Sequence, residues 1–320
     1  MSDVIMLSGF QGSGKSFFSR ELPNIILISN DVTGDKKKSL KQLDENLLAG
    51  TGQQIILDNT HLTRESRREF IEVCRKYSKP IKLILFEASI EECQIRVLHR
   101  QYKKYQTLFF DGKILEGKDP GVFSIATLFS ARKQFERPAL EEGFSKMEVI
   151  RVPKMDFSIY PNRAVFFDID GTLRKTEHLP NKYPTRPEEV ELLSGKKEMM
   201  EIIGKYRSQG YLFCGVSNQS GISKGVLTEE ECIRCMERVK ELLELPELEI
   251  KFCPHRSAQI SCYCRKPQSG LGMYFIEKYK IDPAKSIMVG DMTMDRTFAE
   301  RLGMQFYNVE NFFTSFKFLK

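Results

Sequence analysis

Gly9-Phe10-Gln11-Gly12-Ser13-Gly14-Lys15-Ser16 follows the apolar run Val4-Ile5-Met6-Leu7 and opens a segment of helical period. Strand, glycine-rich turn and helix in that order fit G-x-x-x-x-G-K-[ST] in the context the pattern requires. Gly9, Gly12 and Gly14, with Ser13 between them, let main-chain N–H groups converge on phosphate oxygens. Lys15 is expected at the β- and γ-phosphates and Ser16 on Mg²⁺, which implies a bound nucleoside triphosphate. The loop says nothing about the phosphoryl acceptor.

Outward from this loop, short apolar runs alternate with longer charged segments, the pattern of βα units around a parallel sheet. Runs 4–7, 25–28, 55–57 and 81–86 read as buried strands, with helical stretches at 64–77 and 90–104 between them. A second series begins at 164–167 and continues at 211–216 and 286–289. Pro153 and Pro161 interrupt the chain between the two series. The reading is two tandem α/β domains: a P-loop kinase-like domain over residues 1–152, a linker over 153–162 and a Rossmannoid second domain over 163–320.

The chain has 320 residues, 41% hydrophobic and 29% charged, which excludes a disordered or fibrous protein. No apolar run reaches the ~18–20 residues of a membrane span, so no membrane partner is expected. The amino terminus lacks a secretory pattern, and a cytoplasmic or nuclear location is the expectation. A net charge of +6 is compatible with a phosphate-rich partner but far from that of a passive nucleic-acid coat.

Asp31, in Ser29-Asn30-Asp31, follows the second strand at a carboxyl end, where open α/β sheets place ligands. A carboxylate there can take the proton of an attacking hydroxyl, and it can equally be a helix N-cap. Asp58 ends the third strand as a candidate contact to Mg²⁺ or water. Arg96 and Arg100 share a helix face and either close over a triphosphate or form part of a solvated basic helix.

Asp58-Asn59-Thr60-His61, then Ser66-Arg67-Arg68, the helix ending in Arg100, and 135–144 together resemble the kinase domain of polynucleotide kinase/phosphatases. That resemblance spans nearly all of residues 1–152. It implies that Asp31 is the general base for a 5′-hydroxyl and that Arg100, then Arg96, are lid arginines on ATP. Thr33 to Lys38 departs from the family's arginine-bearing continuation.

In the second series, Asp168-Ile169-Asp170-Gly171-Thr172 follows a strand, and carboxylates at i and i+2 project to one side. Such a pair suits covalent phosphoryl transfer, one group attacking phosphorus while the other moves protons, and it calls for Mg²⁺. Alone it could also be a turn or a calcium loop. Ser217-Asn218 can hydrogen-bond a phosphoryl group, and Arg265-Lys266 brings positive charge. Asp291 and Asp295 end a further strand as acidic Mg²⁺ ligands.

This ordered set resembles the haloacid dehalogenase superfamily. The resemblance implies Asp168 as nucleophile and Asp170 as acid/base. It implies Mg²⁺ on Asp168, Asp291 and the Asp170 carbonyl, with Asp295 nearby.

Cys253, His255, Cys262 and Cys264 supply three thiolates and one imidazole, a closed tetrahedral Zn²⁺ set in a loop over 253–264. Cys264 precedes Arg265-Lys266, so the metal is expected to brace the loop that presents Lys266. Cys232 and Cys235 fall in a charged helical stretch and read as helix packing.

A domain that adds phosphate and one that removes it fit different positions on one substrate. A nucleic-acid end with a 5′-hydroxyl and a 3′-phosphate offers both, with a ligase as the next enzyme. The zinc loop is typical of histidinol-phosphate and heptose-bisphosphate phosphatases and favours a second reading, a bifunctional enzyme of small sugar phosphates. A third is a non-catalytic sensor of nucleic-acid ends, against which the full set Lys15, Asp31, Asp168 and Asp170 speaks.

Overall fold

The computed structural model describes residues 4–108, 110, 119, 121–256 and 262–314. They divide into two compact units, Met1–Val97 with Leu115–Met155, and Leu98–Ile114 with Asp156–Lys320.

In the first unit, β1 (Val4–Ser8), β2 (Ile25–Ile28), β3 (Gln54–Asp58), β4 (Ile81–Glu87) and β5 (Lys146–Arg151) form a sheet in the order β2-β3-β1-β4-β5. All pairings are parallel. The helices are α1 (Lys15–Arg20), α2 (Asn30–Thr33), α3 (Lys36–Ala49), α4 (Arg64–Lys76), α5 (Ile90–Tyr105) and α6 (Ile125–Gln134). Successive strand residues face opposite sides, and both sides are dry. Met6, Ile55 and Leu57 enter one core with Phe70 of α4, while Leu7, Ile56 and Ile84 enter the other. Burial on both faces is why β1, β3 and β4 read as unbroken apolar runs.

The second unit repeats the plan. Here β6 (Arg163–Phe167), β7 (Tyr211–Asn218), β8 (Glu249–Cys253), β9 (Ile287–Gly290) and β10 (Gln305–Asn308) run in the order β10-β9-β6-β7-β8, all parallel. Its further helices are α7 (Lys196–Ser208), α8 (Ser220–Ser223), α9 (Glu229–Leu242), α10 (Gly270–Tyr279), α11 (Thr293–Leu302) and α12 (Val309–Thr314). Val165 and Phe167 fill one core, and Phe166 meets Phe275 of α10 on the other side at 5.9 Å between ring centres. The central strand β6 is flanked by β9 and β7, so its carboxyl end is a topological switch point, where such sheets bind ligands.

Three strands escape the apolar-run reading, β5, β8 and β10, and all three are sheet edges. Lys146–Arg151 is mostly solvent-exposed, and no residue of β10 is buried. An edge strand with one wet side carries too little apolar signal to stand out. The division at Val97/Leu98 also falls inside α5, a helix that its period alone assigns to the first domain. Periodicity identifies a helix but not every body it serves.

Candidate active sites

The phosphate loop leaves the end of β1 and enters α1. A Cβ on Gly9 would lie 2.7 Å from the Phe86 carbonyl oxygen, and one on Gly12 2.9 Å from that of Cys93. Only glycine lets the loop pack this close to β4 and α5. Lys15, 6% exposed, folds under the loop and donates to the carbonyls of Gly9 (2.9 Å) and Phe10 (2.8 Å). Burial lowers its ammonium to about 8; Asp58, then Cys93 and Asp31, pull the other way. The two carboxylates whose charge acts on the lysine come from different strand ends, and Asp58 acts more strongly than Asp31.

Asp58 accepts from Ser19 Oγ at 3.0 Å, one helical turn past Ser16, whose side chain is exposed. Asp31 is exposed in the first turn of α2, and the N-cap positions on either side belong to Ser29 and Asp35. Asp35 accepts from the Lys38 amide, so the capping alternative for Asp31 does not hold. Arg96, expected over the triphosphate, donates to the Pro153 carbonyl at 2.5 Å. Arg100 lies one turn on, in the part of α5 that groups with the second unit.

At the end of β6 the two carboxylates have different surroundings. Asp168, 6% exposed, receives Lys266 Nζ at 2.5 Å, and the same ammonium lies 2.7 Å from Asp295 Oδ1. Burial pushes the Asp168 carboxyl up, to about 7, against the pull of Lys266. Burial would lower Lys266, but Asp168 and Asp295 more than offset it and its ammonium is raised. Asp170 instead accepts from Arg174 Nε (2.8 Å), Gln219 Nε2 (2.5 Å) and Ser217 Oγ (3.3 Å).

Carboxylate oxygens of Asp168, Asp291 and Asp295 lie within 4.8 Å of one another. A Cβ on Gly171 would stand 2.5 Å from Asp291 Oδ2, so this glycine keeps open the space the carboxylate reaches into. Three hard oxygen donors around one lysine leave negative charge uncompensated, and the residues present fit Mg²⁺.

Residues 163–313 match a family profile described as Polynucleotide kinase 3 phosphatase, and residues 4–116 match one described as AAA domain. The D-glycero-beta-D-manno-heptose-1,7-bisphosphate 7-phosphatase of Haemophilus influenzae is 32% identical over 142 residues, covering 42% of this chain and 73% of that protein. The chain belongs to the haloacid dehalogenase phosphatases. Ahead of the phosphatase it carries a P-loop kinase-like domain, which implies ATP and Mg²⁺. The histidine biosynthesis bifunctional protein HisB of Legionella pneumophila is 30% identical over 147 residues, 45% of this chain and 40% of that protein. The crystal structure of the heptose 1,7-bisphosphate phosphatase from B. bronchiseptica with magnesium and phosphate aligns at a TM-score of 0.39 and 22% identity. That alignment covers 45% of this chain and 78% of that one.

The phosphatase also gathers the four candidate zinc ligands. Cys253 Sγ lies 3.7 Å from Cys262 Sγ and 3.4 Å from His255 Nδ1, and His255 Nδ1 lies 3.2 Å from Cys264 Sγ. A disulfide would need ~2.05 Å. Tetrahedral Zn²⁺ with Zn–S near 2.3 Å and Zn–N near 2.0–2.1 Å sets its ligands roughly 3.5–3.8 Å apart. Hydrogen bonds from Cys253 and Cys264 hold the Cys262 thiol far down, and within the same set those two thiols are pushed up. Three thiols this close all ionise only around a cation, and the set fits Zn²⁺. Residues 257–261 of the loop read over 253–264 lie outside the described residues.

Two expectations change in detail. Asn218, read as a phosphoryl contact, commits its amide to the Lys266 backbone, donating to the carbonyl (3.1 Å) and accepting from the N–H (3.0 Å). Arg265 donates to the His255 carbonyl at 3.3 Å. Asn218 therefore clamps the lysine loop rather than facing outward.

Arg174 and Gln219, 1% and 2% exposed, are the residues the sequence reading missed. The available signal was a charge inside the otherwise buried run that follows Asp170. Cys232 and Cys235 are buried on α9, as the packing reading expects, with thiols raised by burial.

Proposed function

We propose that the chain heals nucleic-acid ends, phosphorylating a 5′-hydroxyl in the domain over 1–152 and removing a 3′-phosphate in the domain over 163–320, with 153–162 as the link. What supports this reading most is the profile described as Polynucleotide kinase 3 phosphatase on one domain together with the phosphate loop and buried Lys15 of the other, with Asp31 at the carboxyl end of the second strand of the same sheet. In the kinase step Asp31 takes the proton of the acceptor hydroxyl. Its oxygen bonds the γ-phosphorus of ATP as the bond to the β–γ bridging oxygen breaks, and ADP leaves. Lys15 exchanges its loop carbonyls for the phosphate oxygens.

In the phosphatase step a carboxylate oxygen of Asp168 bonds phosphorus, the ester P–O bond breaks, and Asp170 protonates the leaving alkoxide. Asp170 then takes a proton from water as that water's oxygen displaces Asp168, and phosphate is released. Arg174, Ser217 and Gln219 orient Asp170 for both transfers. Lys266 neutralises the pentavalent oxygens, and Asp168, Asp291 and Asp295 would hold Mg²⁺, which would supply further charge neutralisation when bound. Cys253, His255, Cys262 and Cys264 would hold Zn²⁺, which when bound would stiffen the segment that carries Lys266.

A second reading is favoured by the zinc ligands and by the heptose-bisphosphate relatives: a kinase/phosphatase of free sugar phosphates. Incubation with ATP and an oligonucleotide bearing a 5′-hydroxyl and a 3′-phosphate, reading both termini, decides. End healing predicts conversion of both ends, weakened by salt. Turnover of heptose bisphosphate with both oligonucleotide ends untouched would replace this reading with the second.

A further inference from the structure

Beside Asp31, within the first unit, a cavity of about 160 Å³ is lined by Asn30, Asn59, His61, Ser66, Phe70 and Gln134 among others. A single water needs roughly 10–15 Å³ and a drug-sized ligand several hundred, so this space suits one small ring. Its wall is fixed: Arg67, fully buried, pairs with Glu142 through two hydrogen bonds (2.7 and 2.8 Å) and donates to the His61 carbonyl at 3.0 Å.

The chemistry of the wall is specific. His61 is 4% exposed, and its Nδ1 lies 2.8 Å from the Leu7 carbonyl oxygen. A carbonyl can only accept, so Nδ1 carries the hydrogen and Nε2 is a bare acceptor. That Nε2 is buried with no partner among the described residues. Asn59 Oδ1 accepts from the Asn30 amide at 2.8 Å, while its Nδ2, a donor, is likewise buried without a partner. Buried polar groups are nearly always hydrogen-bonded, so an orphan donor and an orphan acceptor on residues lining one cavity are two groups that a bound molecule or an ordered water would satisfy.

Among the lining residues Lys36 alone carries a charge, and it is paired with Glu69 at 2.7 Å. Phe70, edge-on to His61 at 5.1 Å between ring centres, adds an apolar side.

We propose that this cavity is the acceptor subsite of the kinase-like domain and that it holds an uncharged, hydroxyl-bearing sugar ring, His61 Nε2 accepting from one hydroxyl and Asn59 Nδ2 donating to a ring or hydroxyl oxygen. The assignment rests on the kinase reading above and adds the substrate chemistry. The ring can belong to the terminal residue of a nucleic acid or to a free sugar. In either case it enters by its neutral face, its phosphates remaining outside the cavity.

The experiment is steady-state phosphorylation from ATP of two acceptors, a 5′-hydroxyl oligonucleotide and free ribose, by the full chain and its variants. Asn59→Asp keeps the oxygen that holds Asn30 and replaces the donor with a charged acceptor oxygen. His61→Phe keeps the ring and removes the acceptor, and His61→Gln restores an acceptor. The expected result is an acceptor KM raised about tenfold by Asn59→Asp and His61→Phe, and restored to within about threefold by His61→Gln. The KM for ATP and the melting temperature stay at their original values.

Whichever acceptor has the lower KM in the unaltered protein names the source of the ring. An acceptor KM unmoved by Asn59→Asp, or moved only together with the KM for ATP and the melting temperature, overturns the subsite while leaving the kinase reading standing. An unaltered protein that phosphorylates neither acceptor overturns both.

Discussion

Lys15 and Lys266 occupy comparable places, each buried at the carboxyl end of the central strands of a parallel sheet, and their charge states diverge. Lys15 donates to neutral acceptors, the carbonyls of Gly9 and Phe10, while Asp58 and Asp31 act on it only through space, and burial brings its ammonium down to about 8. Lys266 lies between Asp168 and Asp295, and those carboxylates hold its proton more tightly than water would. The first site waits for an anion that its substrate brings. The second already contains its anion, which is the candidate nucleophile. Chemistry at each follows: the loop grips a phosphate without bonding to it covalently, whereas the carboxylate can attack one.

The contrast breaks most easily at the nucleophile. Asp168→Asn should lower phosphatase turnover by at least the order of 10³-fold. The kinase activity of the first site should stay within about twofold. Persistent phosphate release would remove covalent catalysis from the account.

Lys15→Ala should do the converse, lowering kinase kcat/KM on the order of 10²–10³-fold and leaving phosphate release unchanged. Parallel loss of both activities would mean that the two lysines do not serve independent sites.

A smaller effect is expected where zinc meets Lys266. Cys264→Ser should reduce bound zinc from about one per chain and cut phosphatase kcat about tenfold while sparing the kinase. A metal-free preparation with full phosphatase activity would dismiss the metal.

The subtlest difference is in protons. With Lys15 near 8, ATP arriving at pH 8 should raise its proton affinity and take up about half a proton per site, and none at pH 6.5, where the lysine is already charged. The contribution of Lys15 to ATP affinity is therefore complete below pH 8 and fades as pH rises through it. Calorimetry at pH 8 in two buffers of different ionisation enthalpy measures the uptake. Equal apparent enthalpies would mean that the lysine is not depressed.

Legibility in the sequence followed distance along the chain. The loop Gly9–Ser16 and the pair Asp168 and Asp170 are local patterns on the ends of doubly buried strands, and both are readable directly. Three of the four edge strands, β5, β8 and β10, were silent because an edge needs no continuous apolar run. Arg174 was silent because its partner Asp170 is visible only once the turn is folded. Asn218 drew a phosphate-binding role from its position after Ser217, yet its amide closes on a backbone 48 residues away.

Amino-acid order alone determined which groups could do chemistry: a glycine loop able to approach phosphate, two carboxylates projecting to one side of a strand end, and a set of three cysteines and a histidine suited to one tetrahedral ion. Each depends on short-range covalent spacing, which folding cannot alter. Tertiary structure decided which partners those groups meet. Lys266 stands 98 positions from Asp168 and reaches it at 2.5 Å, and the fold sets His61 Nδ1 against the Leu7 carbonyl, 54 positions away, and so frees Nε2 for a ligand. Charge state and hydrogen-bond satisfaction are properties of neighbours in space, and strand order, not sequence spacing, chooses those neighbours.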